Sequence, residues 1–295
     1  MPLPRRCLTS VLLRREGDLF LFDCGEGTQV SLRRLNLRWK KISVVLISHL
    51  HADHVTGLPG IMMLSSQVDR DDPLYIIGPP RTREYVDANR RALDMHINYR
   101  VVVKEVTQPG IVFRGPGYAI RAHTLSHTRP CYGYCFEEDT RPGVFLPDRA
   151  LSLGVPKGPL WSQLQHGSSV ELSVGGTVDP DQVMGPKRRG RKFCYVTDTV
   201  ACPGLEDFVW DADLFICEGM FEKELIETAR EKRHLTAHEA ALIARQGSVQ
   251  RMGLIHYSPR YTARDLHRLL KEARAVFPSA FLTTELQTIE IAYRE

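Results

Sequence analysis

The stretch SHLHADHVTGLPG, residues 48–60, sets three histidines and an aspartate within six positions: His49, His51, Asp53 and His54. Such groups are costly to bury without partners, so this is either a solvated loop or one half of a metal site. What precedes it decides the fold. ISVVLIS, residues 42–48, is nearly continuous in apolar and β-branched side chains, as expected of a strand buried on both faces. The quartet therefore follows the carboxyl end of a strand, where α/β folds place their sites. GLPGIMMLSSQV then reads as the start of a helix with Pro59 in its first turn. Asp53 and His54 fall at a helix N-terminus, while His49 and His51 project from the loop.

The same rhythm extends outward. LTSVLLRREGDLFLFDCGEG reads as two strands joined by a turn at Glu16-Gly17-Asp18. PLYIIGPP, RVVVKEV and YAIRAHTLSH continue the strands. Helices are expected over Gly57–Val68, Pro80–Leu93, Leu205–Trp210, Glu222–Lys232, Ala237–Gln246 and Thr262–Ala275. Strands flanked by helices indicate an α/β layered fold. Residues 139–192 break the rhythm: GVPKGPLWSQLQHG and MGPKRRGRK are rich in proline and glycine and show little periodicity. We expect one domain over residues 1–295, with 139–192 as a projecting irregular insertion.

Composition sets few further bounds. The 295 residues are 43% hydrophobic and 25% charged, ordinary globular values, and the net charge of +4 permits a nucleic-acid partner without demanding one. No apolar run has the length of a membrane span, and the N-terminus lacks the apolar core of a signal peptide. The expectation is a soluble cytoplasmic protein with no membrane partner. Seven cysteines (Cys7, Cys24, Cys131, Cys135, Cys194, Cys202, Cys217) are odd in number and scattered, and read as reduced.

Four ligands from one tight turn can divide between two metals a few ångströms apart, as in two-metal hydrolases. Nitrogen and oxygen ligands suit zinc and do not exclude manganese or iron. A two-metal site needs about three more ligands, and candidates stand at expected strand ends: His127 in AHTLSH, Asp198 in KFCYVTDT and His256 in RMGLIHYSPRY. His123 is a rival for the place of His127. Asp23, ending LFLFD, is expected to orient a ligand histidine from behind.

The pattern H-x-H-x-D-H resembles the hallmark of the metallo-β-lactamase superfamily. FDCGEGTQ, SHLHADHVTGLPG, GYCFEEDTRPG, GPLWSQLQHG, VTDT and LIHYSPRYT together resemble the short form of the ribonuclease Z family over nearly the whole chain. The resemblance implies an αββα sandwich, two mixed β-sheets packed together with helices outside. It implies a zinc-dependent endoribonuclease that removes the 3′ trailer from tRNA precursors, a hydroxide held between two zinc ions attacking the phosphodiester after the discriminator base. One ion would take His49, His51 and His127, the other Asp53, His54 and His256, with Asp198 bridging. His234 would donate a proton to the departing oxygen, Glu218 would hold His234, and Asp53 counts among the catalytic groups. Two departures stand out: relatives read His-Glu-Ala where this chain has Cys217-Glu218-Gly219, and a serine where it has Leu235.

The resemblance further implies that the insertion is an arm gripping the tRNA, with Lys157 and Trp161 in contact. Lys187, Arg188, Arg189, Arg191 and Lys192 form a basic loop that suits either phosphate or solvent. MPLPRRCLTS resembles the loop that meets the acceptor end, with Arg5 and Arg6 as its basic contacts. Relatives carry a strand and a glycine-rich turn ahead of that loop, and a strand without such a partner would expose an edge. The family also implies a homodimer. The rivals are a small-ester or cyclic-nucleotide phosphodiesterase on the same metal site, for which a projecting arm has no use, and a non-catalytic RNA-binding relative, against which the complete ligand set speaks.

Overall fold

The structure, a computed structural model, describes residues 6–37, 39–68, 70–173 and 175–294. Two compact units emerge: one from residues up to Glu137 together with Lys192–Ile291, the other from Glu138–Arg191 with the residues from Ala292 onward.

In the first unit, β1 (Val11–Arg15) and β2 (Asp18–Phe22) form the expected hairpin. Glu16 and Gly17 both adopt positive φ, 48° and 97°, the left-handed pair that a tight two-residue hairpin turn requires. After α1 (Thr28–Arg34), strand β3 (Ile42–Leu46) leads into α2 (Ala52–Val55) and α3 (Leu58–Ser66). Then follow β4 (Leu74–Gly78), α4 (Thr82–Ala92) and β5 (Val101–Glu105). The first sheet runs β1-β2-β3-β4-β5, parallel except for the hairpin.

Strands β6 (Gly110–Gly115), β7 (Tyr118–Leu125) and β8 (Cys131–Glu138) open the second sheet. The chain then builds the second unit from α5 (Pro147–Ser152), α6 (Pro159–Gln165), β9 (Val170–Glu171), β10 (Thr177–Val178) and α7 (Pro180–Val183). It returns through β11 (Lys192–Val196), α8 (Leu205–Phe208), β12 (Leu214–Glu218), α9 (Ile226–Lys232), α10 (Ala237–Gln246), β13 (Met252–Ile255), α11 (Leu266–Val276) and β14 (Ala280–Leu282). The order is β14-β13-β12-β11-β8-β7-β6, again mixed.

The layers follow from which side chains are buried together. Phe20, Phe22, Val44 and Leu46 of the first sheet pack against Tyr134, Phe136, Phe193, Tyr195 and Ile216 of the second. Phe22 meets Phe193 edge-on at 5.1 Å, an arrangement aromatic rings favour. The outer face of the first sheet is covered by apolar residues of α1, α3 and α4, and that of the second by residues of α8, α10 and α11. This is the expected αββα sandwich.

Three expectations are corrected. The insertion is not irregular throughout: it holds three short helices and a two-stranded ladder around Ala150, Val155, Leu164, Val170, Val178 and Val183. Elements of two to seven residues are too short to show a period. Thr262–Ala275 does not begin as a helix, because Asp265 accepts hydrogen bonds from the Thr262 amide and hydroxyl in a turn of its own and α11 starts at Leu266. Cys135 and Cys194 are joined rather than reduced, since β8 and β11 set them directly opposite with Cα atoms 4.2 Å apart; the other five cysteines are free.

Candidate metal centre

The predicted ligands converge because most of them follow the ends of strands in the two packed sheets. Asp23 follows β2, His49 and His51 follow β3, His127 follows β7, Asp198 follows β11 and His256 follows β13, while Asp53 and His54 sit in α2. Asp23, Asp198 and His256 adopt positive φ (56°, 23° and 58°), a backbone turn that aims each side chain back across the strand ends. Gly57 locks α2 in place: its amide donates to the Cys24 carbonyl, and a Cβ there would lie 2.1 Å from the Gly25 oxygen.

Among the described residues two clusters share Asp198. In the first, His51 Nδ1 lies 2.9 Å from His49 Nε2 and 3.3 Å from His127 Nε2. Asp198 Oδ2 closes that group at 3.6 Å from His49 and 3.7 Å from His127. In the second, His256 Nε2 is 3.3 Å from His54 Nε2 and 3.4 Å from Asp53 Oδ2. Asp198 Oδ1 stands 3.5 Å from His54 Nε2. Each oxygen of one carboxylate thus faces a different cluster. A third group joins Asp198 and His256 to Glu218 and His234, with His234 Nδ1 2.9 Å from Glu218 Oε2.

Hydrogen bonds on the outer ring nitrogens fix what the inner ones present. His127 Nδ1 must donate to the Arg233 carbonyl, and His54 Nδ1 to the Asp23 carboxylate, because both partners only accept. In the neutral rings the Nε2 lone pairs of His127 and His54 then point inward, where a cation can accept them. His256 Nδ1 is buried and faces Asp198 Oδ1 at 3.3 Å, yet makes no well-formed hydrogen bond among the described residues. The donor set therefore fits metal ions.

The electrostatics differ between the two clusters. Burial, reinforced by the neighbouring His54, pushes His49 down to about 2, so its ring is neutral and free to ligate. Burial likewise lowers His51 and His127. Burial opposes ionisation of Asp198, yet His256, His54 and His49 around it hold its carboxyl well below the usual range. Asp53 is held low in the same way: burial works against it, and the hydrogen bond with His256 wins. Burial disfavours the charged form of His54 and His256, but Asp198 in both cases raises them. For His234 burial again opposes, and the Glu218 carboxylate raises it.

Comparison with known proteins adds the lineage. Over the full 295 residues, 100% of this chain and 96% of the relative, the chain is 58% identical to a Ribonuclease Z of Treponema denticola. It is 60% identical to that of Treponema pallidum, covering 95% of the relative, and 40% identical to that of Methanosarcina acetivorans. The chain belongs to the ribonuclease Z family. A family model described as Anti-Pycsar protein Apyc1 matches residues 5–86, the portion that carries the His49–His54 quartet. In fold the chain is similar to human tRNase Z, short form, with a TM-score of 0.71 at 24% identity, covering 99% of this chain and 95% of that one. It is also similar to the metallo-beta-lactamase fold protein YhfI of Bacillus subtilis, with a TM-score of 0.66 at 18% identity, covering 96% and 91%.

The other residues expected from the ribonuclease Z resemblance are placed as follows. His123 lies outside every cluster; its ring stacks on Phe208 at 5.0 Å. Leu235 is fully buried in the core over the second sheet. Arg5 lies outside the described residues. Arg6 donates to the Ser258 carbonyl in the HYSPRY segment. Lys157 and Lys187 are exposed. Trp161 packs on Phe145 at 5.1 Å and donates to the Val155 carbonyl, so its indole builds the second unit's core. Arg188 donates to the Pro142 carbonyl, Arg189 is half-buried, Arg191 pairs with Glu138 at 2.7 Å, and Lys192 donates to the Trp210 carbonyl. Sequence reasoning missed Ser48, Tyr195 and the Arg233 carbonyl, which contact the predicted ligands or Asp23. Ser48 had a signal, its place inside the motif; the other two had none.

Proposed function

We propose that this chain is an endoribonuclease that removes 3′ trailers from tRNA precursors, cutting after the discriminator base and leaving a 3′ hydroxyl on the tRNA. The observation that carries the reading is the pair of clusters, His49–His51–His127 and Asp53–His54–His256, with one Asp198 oxygen 3.6 Å from His49 and the other 3.5 Å from His54, in a chain with ribonuclease Z relatives along its entire length. His49, His51 and His127 hold one divalent cation, Asp53, His54 and His256 the other, and Asp198 serves both; zinc suits the donors best, with Mn2+ or Fe2+ as substitutes. Cations bound there supply Lewis acidity, neutralising phosphodiester charge and making water a better nucleophile near neutral pH.

The chain's own groups do the rest. Glu218 is fully buried and accepts from the Thr199 amide at 2.6 Å and from His234 Nδ1 at 2.9 Å. That fixes the ring so that Nε2 offers a proton to the departing 3′ oxygen. Residues 139–192 are the tRNA arm, with Lys157 and Lys187 meeting phosphates in a manner that reads shape rather than sequence. Exposed Val30 and Leu35 at α1 and Met63 on α3 supply apolar surface that a second copy covers in a homodimer, which light scattering tests. Location in the cytoplasm is part of the same reading; no helix among the described residues is long and apolar enough to cross a membrane. A small-ester or cyclic-nucleotide phosphodiesterase is not favoured, because relatives named Ribonuclease Z match along the entire chain.

The deciding assay incubates the protein with a 3′-extended tRNA precursor and with bis-p-nitrophenyl phosphate, with and without chelator, and maps the RNA ends. Cleavage of the precursor after the discriminator base, lost on chelation and in His54→Ala, is expected. Hydrolysis of the small ester without any cleavage of the precursor refutes the tRNA reading, and activity indifferent to chelator refutes the metal centre.

A further inference from the structure

Asp23 is wholly buried and receives four hydrogen bonds. Its Oδ1 accepts from the Ser48 amide at 2.7 Å. Its Oδ2 accepts from the Ser48 hydroxyl at 2.8 Å, from His54 Nδ1 at 2.7 Å and from the Tyr195 hydroxyl at 2.7 Å. No lysine or arginine is among these donors. The carboxylate is gripped from three segments of the fold: the loop after β3, helix α2 and strand β11.

The Ser48 hydroxyl has a second neighbour, His49 Nδ1, at 3.0 Å. A hydroxyl has one proton, and here the carboxylate takes it. Toward His49 the oxygen can only accept, so His49 Nδ1 carries the ring proton and Nε2 presents its lone pair to the first cluster. Asp23 does the same to His54, directly, for the second cluster. We infer that Ser48 is a positioning residue that relays the Asp23 carboxylate to His49, so that one buried carboxylate sets a histidine ligand in each of the two cation sites. This inference rests on the metal reading above. Its consequence is asymmetric. Without the hydroxyl, His49 Nδ1 loses its acceptor, and the alternative tautomer turns an N–H into the first cluster; His54 keeps its own bond to Asp23.

The test titrates cation-stripped wild type, Ser48→Ala, Ser48→Thr and Asp23→Asn with Co2+, following both binding steps and the ligand-field absorption bands. Wild type takes up two ions. In Ser48→Ala one of the two affinities falls about 10–100-fold, the usual effect of losing an outer hydrogen bond to a ligand, the other is unchanged, and the bands of one ion shift. Ser48→Thr restores both steps, and Asp23→Asn weakens both. Ser48→Cys, which keeps the volume but accepts only weakly, replaces Ser48→Ala if circular dichroism shows that variant unfolded. Wild-type affinities and bands in Ser48→Ala overturn the relay. So does an equal loss at both sites, or a failure of threonine to rescue. A wild-type protein that binds no cation overturns the metal reading instead, which keeps the two failures apart.

Discussion

Replacing Glu218 by glutamine tests the proposed role of His234 as proton donor. Glu218 Oε2 lies 2.9 Å from His234 Nδ1, with the two side chains 0% and 11% exposed, so solvent screens the pair little. Two full charges at that distance attract by about 6 kcal/mol at an effective dielectric of ~20. Burial of both groups offsets much of this, and what remains of the attraction favours the charged imidazolium. Glu218 raises His234, so the imidazolium survives to higher pH than an ordinary histidine would. Glutamine keeps the size and can still accept from the Thr199 amide, but removes the charge, so the His234 pKa falls. The alkaline limb of kcat for precursor cleavage therefore moves to lower pH. Above both values the rate drops about tenfold per unit, and at low pH, where His234 is protonated in both proteins, the rates converge. Bis-p-nitrophenyl phosphate, whose leaving group needs no proton, serves as the control and should hardly respond. The assay is a pH–rate profile on both substrates at matched metal content. An unmoved alkaline limb, or an equal loss on the small ester, refutes the assignment of His234 as the donor held by Glu218.

Other consequences can be measured separately. Phe22→Ala empties the space between the sheets beside Phe193 and Tyr195 and should cost about 3–5 kcal/mol, read from the urea midpoint. Gly57→Ala drives a methyl group into the Gly25 carbonyl. Cation affinity should fall along with stability, whereas Gly185→Ala, whose added Cβ would meet only ordinary contacts at 3.4 Å or more, should leave affinity alone. Cations that bind only the folded chain stabilise it by about 2.7 kcal/mol at a hundredfold excess over Kd, so chelation should lower Tm by several degrees. Joint replacement of Lys157 and Lys187 by alanine should weaken precursor binding and flatten its salt dependence by about one log unit per lost phosphate contact, with the small-ester rate unchanged.

Some of this molecule is legible from local sequence and some is not. Helix α10 begins and ends where periodicity places it, because its signals are adjacent residues: the Thr236 hydroxyl accepts from the Glu239 amide, and the Glu239 carboxylate returns a bond to Thr236. Helix α11 starts four residues late because Asp265 serves a turn first. The Cys135–Cys194 pairing could not be read, since it depends on the register of two strands 59 residues apart in sequence. The short helices of residues 139–192 have too few residues to carry a pattern, and their small core appears only once they pack.

By itself the sequence determined the layered α/β class and the chemical identity of the candidate ligands, because strand patterning, turn residues and the crowding of His49, His51, Asp53 and His54 are properties of neighbours along the chain. Only the tertiary structure decided how those ligands divide. His54 and His256 are 202 residues apart yet sit with their nitrogens at 3.3 Å, and the two oxygens of Asp198, which follows β11, part between the clusters. The same holds for the Tyr195 hydroxyl on Asp23, 172 residues away. Ligand type is a local choice of side chain, whereas ligand geometry is set by which strand ends the sheets bring side by side.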